Sequence, residues 1–252
     1  MPKDYFAERV AARYDEDDAA MFDPAVVEPV VDFLVGLAQD GAALELGIGT
    51  GRIAIPLCQR GIRVHGIDLS EAMVARMRAK PGAERIGVTI GDFATAKVQG
   101  SFSVVYLVYN TIGNLVRQDD QIRCFQNAAR HLADDGVFVL ECRVPTAPGR
   151  HGHQYVDPAR IAADEVVLDV GQYDPVTQVL DLNHVRISAS GIILEPICLR
   201  LAYPPEFDLM ARLAGLRLRE RWGGWNGEPY TATSWRHVSV YERSEDPAHP
   251  SF

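Results

Sequence analysis

An apolar stretch runs into three closely spaced glycines at Leu44-Glu45-Leu46-Gly47-Ile48-Gly49-Thr50-Gly51-Arg52. Glycines at this spacing let a backbone approach a ligand closely and expose N–H groups, which suits the polar tail of a cofactor. By itself such a turn also packs a helix on a strand with no ligand at all. Its form narrows the choice. The third glycine comes one residue early for a dinucleotide fingerprint and Arg52 stands in the last position, which disfavours NAD or FAD. The Gly-Lys-Ser/Thr of a phosphate-binding loop is absent, which excludes that class of ATPase. Asp68 then falls at the tip of the next predicted strand, where a carboxylate can accept both hydroxyls of a ribose. Gly91-Asp92-Phe93 places a second carboxylate beside an aromatic, able to accept from the exocyclic amine of adenine while Leu69, Met73 and Phe93 cover the ring faces. Taken singly, Asp68 reads equally as a helix cap and the apolar residues as core. Together the three stretches point to a bound nucleoside.

Such residues must be set along one edge of a sheet, and the pattern of the chain supplies one. From residue 24 to residue 140 strand and helix patterns alternate, the signature of parallel βαβ units. Asp23-Pro24 offers an N-cap and a first-turn proline, and Val27, Val30, Val31, Leu34, Leu37 and Ala38 recur at helical spacing. Strands are predicted at 42–46, 62–67, 85–90, 102–109 and 137–142, with helices to about Arg60, from Ser70 through Lys80, and over 118–132. After Pro145 the strand patterns at 166–170, 179–187 and 192–201 follow one another with turns and no helix between them, so they pair antiparallel. A helix over 205–214 and strands over 216–222 and 237–243 close the chain. The expected fold is α/β: a Rossmann-like seven-stranded, mostly parallel sheet with helices on both faces and an antiparallel β insertion after strand five. The whole reads as one domain, with an N-terminal helical cap (1–40), a nucleoside-binding core (41–145), the insertion as lid and substrate region (146–203), and a closing segment (204–252).

With 252 residues, 47% of them hydrophobic and 23% charged, the chain can bury a full core without metal or disulfide. The formal charge of −9 with no basic stripe argues against nucleic acid. No run of about 18 apolar residues occurs, and Met1 to Asp18 is charged where a secretory signal is apolar, so neither membrane nor export is expected and the location reads as cytoplasmic. Cys58, Cys124, Cys142 and Cys198 are scattered among apolar neighbours and read as buried free thiols. The acidic run Asp15-Glu16-Asp17-Asp18 reads as solvated surface. His151 and His153 imitate a metal pair without a third ligand at sensible spacing, so no metal site is expected.

The motifs E-L-G-x-G-T-G-R, G-I-D-L-S-E-A-M and G-D-F, in this order and spacing, resemble those of class I S-adenosylmethionine (SAM)-dependent methyltransferases. The resemblance covers residues 41 to 142. It implies SAM as cofactor, with its methionine moiety on Gly47, Gly49 and Gly51, its ribose on Asp68 and its adenine on Asp92; Glu45 and Arg52 complete the glycine motif. The stretch Val104-Val105-Tyr106-Leu107-Val108-Tyr109-Asn110-Thr111-Ile112-Gly113-Asn114-Leu115 and the insertion look like the branch that N-methylates amino sugars on nucleotide carriers, which implies that Tyr14-Asp15 closes over the cofactor. The segment Trp222 to Tyr230 departs from that branch; Trp222, Trp225 and Tyr230 are candidates for a substrate pocket.

The implied activity is transfer of a methyl group to a small-molecule acceptor, the amine of a sugar or other metabolite. The nucleophile is expected where strands four and five end, near Tyr109, Asn110, Asn114 and Arg143, with Val108 on the cofactor side. An alcohol oxygen would need a positioned base, and His184 is the candidate, with His151 and His153 as others in the insertion. Further alternatives are a non-catalytic SAM-binding module and a nicotinamide-dependent oxidoreductase. A homodimer is an allowed assembly.

Overall fold

The structure is a computed structural model that describes residue 6, residues 8–145 and residues 153–244. Seven strands form one sheet in the order β10-β11-β5-β4-β1-β2-β3. These are β1 (Ala42–Leu46), β2 (Arg63–Asp68), β3 (Gly87–Ile90), β4 (Phe102–Leu107), β5 (Leu132–Arg143), β10 (Leu216–Trp222) and β11 (Arg236–Arg243). The pairs β1–β2, β1–β4, β2–β3 and β4–β5 are parallel, and β11 lies antiparallel between β5 and β10. This is the expected seven-stranded α/β sheet.

Both faces are covered, so period-two alternation sorts side chains between two cores rather than between core and water. Val104 and Tyr106 of β4 join Leu34, Leu57, Met77 and Val139 on one face; Val105 and Leu107 join Phe125, Phe138 and Phe207 on the other. The first core is closed by α3 (Pro24–Ala38), whose N-terminal N–H at Ala25 is capped by Asp23. The second is closed by α6 (Gln118–His131) and α7 (Pro204–Leu213), with Phe125 edge-on to Phe138 and to Tyr241. Between β1 and β4 the strand order reverses direction, and such a reversal opens a crevice at the carboxyl ends of the strands. The glycine turn, Asp68 and the residues after β4 all fall at that end.

The insertion is a separate antiparallel sheet of four strands, one more than expected: β6 (Gln154–Ile161), β7 (Glu165–Asp174), β8 (Val179–Ser188) and β9 (Gly191–Arg200). The unforeseen β6 is an edge strand whose register shifts between Pro158 and Arg160. Proline and polar residues hide such a strand from pattern reading, and an edge bulge is where a sheet tolerates proline. β3 begins later than expected because Ala83–Arg85 winds into a 3-10 turn. Cys58, Cys124 and Cys142 are buried, but Cys198 is exposed: it sits on β9 where the strand lines a large open cavity. Trp225 packs edge-on to Phe33 in the core and Tyr230 lies against His237, so the closing segment braces the sheet and its aromatics do not line a substrate pocket.

His237 on β11 is fully buried, Nδ1 lies 2.8 Å from Ser239 Oγ, and Nε2 has no partner. Burial pushes its pKa down to about 3. A histidine that is neutral when folded and charged when unfolded contributes stability that is present above its unfolded value of about 6.5 and is lost as pH falls toward the folded one. Chemical denaturation should therefore show stability declining below pH 6.5, with a shallower acid limb in His237→Gln; identical limbs would refute this origin.

Candidate active site

The glycine turn is built by backbone conformation and by the residues beneath it. Gly47, Gly49 and Gly51 have φ of +76°, +55° and +79°, and a Cβ at Gly47 would sit 2.8 Å from Thr111 Cγ2. Gly47 N–H and Ile48 N–H donate to the Ile67 carbonyl at 2.8 and 3.1 Å, locking the turn onto β2. Glu45 does not line the cavity. It is buried beneath the turn, accepts from Tyr106 O–H at 2.9 Å and from the Ala54 N–H, and so anchors the start of α4 (Ala54–Gln59). Burial pushes its carboxyl up to about 8.

Asp68 is tied into the same structure. Its Oδ2 accepts from Gly49 N–H at 2.7 Å and its Oδ1 from Ser70 N–H at 2.8 Å, while Ser70 Oγ caps α5 (Glu71–Arg78) at Met73. Asp92 Oδ1 accepts from Ala94 N–H at 2.8 Å. A cavity of about 1200 Å³ runs past Gly47, Gly49, Asp68, Leu69, Met73, Asp92 and Phe93, continues along Thr111, Asn114 and Leu115, and reaches Tyr155, Leu182 and Ile197 of the insertion. Its sequence of open backbone, carboxylate, apolar wall and second carboxylate fits an adenosine carrying an amino-acid tail.

Over this cavity lies an N-terminal strap of α1 (Glu8–Ala11), α2 (Tyr14–Asp17) and a 3-10 turn (Ala19–Phe22). The acidic run is not solvated surface, as its composition suggested; it is what fastens the strap. Asp15 accepts from Thr50 Oγ1 at 2.6 Å and pairs with Lys80 at 2.5 Å. Asp17 pairs with Arg186 of β8 at 2.9 Å, and Asp18 accepts from Tyr109 O–H at 3.2 Å. Tyr14 lines the cavity, and burial and the nearby Asp18 hold its phenol above the ordinary range. Asp15, Asp17 and Asp18 thus each meet a different part of the molecule while Glu16 is exposed, a division that charge spacing alone does not carry.

The other candidate residues divide. Asn114 lines the cavity. The Val108 carbonyl accepts from Thr111 Oγ1 at 2.7 Å. Arg52 lies 4.8 Å over the Tyr109 ring and donates to the Met21 carbonyl. Burial and the Asp18 carboxylate push the Tyr109 phenol up to about 12. Asn110 is turned to β5, accepting from Cys142 Sγ–H and Arg143 N–H. His184 is not among the cavity-lining residues; its Nδ1 lies 2.7 Å from Asp169 Oδ1, which raises its pKa. Among the described residues no group of three or more His, Cys, Asp or Glu is placed to hold a metal ion; His151 lies outside the described residues. Glu141 and Arg186 were not singled out by sequence, and Asp18 was read only as solvated surface, since their partners are 32 or more residues away.

Residues 43–136 match the model of a methyltransferase domain family. The chain is 36% identical to the CcbJ methyltransferase of Streptomyces caelestis, with a TM-score of 0.81 over 86% of this chain and 88% of that one. The chain belongs to the SAM-dependent methyltransferases. Its cofactor is SAM, so the nicotinamide and non-catalytic alternatives fall away. This methyltransferase is also 29% identical over 209 residues to the cypemycin N-terminal methyltransferase of a Streptomyces species, covering 79% and 82% of the two chains. It shares the fold of SAM-bound CalS10, an amino pentose methyltransferase from Micromonospora echinaspora, at 23% identity and a TM-score of 0.66 over 86% and 90% of the chains. Among its described residues no helix is long and apolar enough to cross a membrane.

Proposed function

We propose that this methyltransferase transfers its methyl group to the nitrogen of a small molecule seated between the carboxyl ends of β4 and β5 and the insertion. The observation that carries the reading is the continuous cavity of about 1200 Å³ from Asp92 to Ile197; it exceeds the roughly 300–1,000 Å³ of an ordinary ligand site, which leaves room for an acceptor beside the cofactor. In this reading Gly47, Gly49 and Gly51 hold the methionine moiety with Arg52 at its edge, Asp68 the ribose and Asp92 the adenine amine, Leu69, Met73 and Phe93 cover the base, and Tyr14 shuts the entrance. SAM supplies a methyl group on a sulfonium that is already activated. The protein's part is alignment and exclusion of water; Thr111 and Asn114 border the approach, with Tyr109 behind them tied to the strap. A neutral amine needs no strong base. That His184 is not among the cavity-lining residues supports nitrogen over an alcohol oxygen.

The test is incubation of the protein with methyl-tritiated SAM and a fractionated metabolite extract. Label should appear in a basic, low-mass fraction; label confined to peptides would move the acceptor to the class named by the cypemycin enzyme. With the labelled fraction as substrate, His184→Gln should keep turnover within about threefold, and its abolition with SAM affinity intact would replace nitrogen by oxygen. A homodimer is supported by exposed Ile161, Ile192 and Leu194 on the insertion; sedimentation measures it.

A further inference from the structure

Tyr109 and Asn110, immediately after β4, have φ of +59° and +60°. Two consecutive side-chain-bearing residues in the left-handed region persist only where their surroundings impose that conformation, and such strain gathers at functional sites. Here the end of β5 imposes it. Glu141, 9% exposed, accepts from Tyr109 N–H through Oε2 at 2.9 Å, while Asn110 Oδ1 takes the Cys142 thiol and the Arg143 N–H at 2.9 and 3.2 Å. The other Glu141 oxygen pairs with Arg236 of β11 at 3.2 Å. Beyond the turn, the Tyr109 hydroxyl donates to Asp18 of the strap at 3.2 Å, and Arg52, lying over the Tyr109 ring, donates to the Met21 carbonyl of the strap.

We infer that Glu141 is a positioning residue for methyl transfer: its buried carboxylate holds the strained Tyr109 backbone and, through it, the phenol that latches the N-terminal strap over the cofactor. The physical reason is that a buried N–H without an acceptor is costly. Removing the carboxylate leaves Tyr109 N–H free to seek another partner by returning to the extended region, and the ring swings away from Asp18. An amide at position 141 still offers one oxygen to Tyr109 N–H, so the turn survives it, while its NH2 group replaces the acceptor of Arg236 and that tie is lost. The charge on Glu141 is balanced by Arg236, which ties the latch to the closing strand of the sheet. The inference rests on the proposed seating of SAM beneath the strap.

The experiment reads amide hydrogen exchange of Glu16, Asp17, Asp18 and Met21, whose N–H groups bond within the strap, with and without SAM, together with SAM dissociation by stopped flow. Glu141→Leu should speed strap exchange about tenfold and SAM release about fivefold, while amides of β1 and β2 stay as in the wild type. Tyr109→Phe should act in the same direction, and Glu141→Gln should stay within about twofold of the wild type. Strap exchange unchanged in a folded Glu141→Leu protein, or in Tyr109→Phe, overturns the inference, as does a Gln variant as impaired as Leu. If Glu141→Leu does not fold, Tyr109→Phe and Glu141→Gln decide. Exchange without SAM reads the latch directly; a wild-type strap that SAM leaves unprotected would refute the seating and not the latch.

Discussion

Replacing Asp68 with alanine weakens SAM binding by tenfold or more, as calorimetry on the folded variant should show. Asp68 is 9% exposed and accepts from the N–H groups of Gly49 and Ser70. Hydrogen bonds to a charged group contribute about 1.5 to 3 kcal/mol each, and about 1.4 kcal/mol is a factor of ten in affinity. Alanine leaves the Gly49 and Ser70 N–H groups without their acceptor, so the middle of the glycine turn and the entry to α5 loosen before any contact with the ligand is counted, while Gly47 and Ile48 stay bonded to Ile67. The contribution of the ribose is separated by repeating the titration with a 2′-deoxyribose analogue of SAM. The wild type should prefer the ribose form and Asp68→Ala should lose that preference. Unchanged affinity, or a preference that survives, removes the ribose from Asp68.

The second large effect is expected at Arg186. Its side chain is 7% exposed and lies 2.9 Å from Asp17, 2.8 Å from Glu165 and 3.9 Å from Glu195. It is the cation on which strap and insertion both close. Breaking a buried pair by deleting one partner costs about 3 to 5 kcal/mol, because the remaining charges stay buried without compensation. Arg186→Met keeps much of the volume and removes the charge. The insertion should open well below the global unfolding free energy, with native-state exchange accelerated at the amides of β7 and β8 and left unaltered in β1 and β4. Equal protection in the variant would show that Arg160, which pairs with Glu165, and Arg13, which pairs with Asp17, suffice.

The elements that carry the site were legible because each rests on a local rule. Asp23 before Pro24 and Ser70 before Glu71 are helix caps written in adjacent residues, and both cap where expected. The parallel strands are short apolar runs between turn signals, and Asp68 and Asp92 follow two of them directly. What was not legible involves residues distant in sequence. The acidic run at 15–18 has the composition of a solvated face, and only Thr50, Lys80, Arg186 and Tyr109 make it a clasp. The strand 154–161 escaped notice because a bulged edge strand carrying Pro158 needs no apolar alternation. His184 looked placed for base chemistry in the sequence, but the fold sets it on β8 beside Asp169 and off the cavity wall.

By itself, then, the order of residues determined the parallel α/β sheet, the glycine turn and the two carboxylates that follow it, and the methyltransferase family, since caps, strand periodicity and motif spacing act over a few residues of chain. The tertiary structure decided which acidic residues are buried, that His184 stands off the cavity wall, and how Glu141 imposes a left-handed backbone on Tyr109. Those outcomes depend on the balance between desolvation and pairing at contacts spanning 32 to 169 residues of sequence. That balance is set by three-dimensional neighbours, which spacing along the chain does not encode.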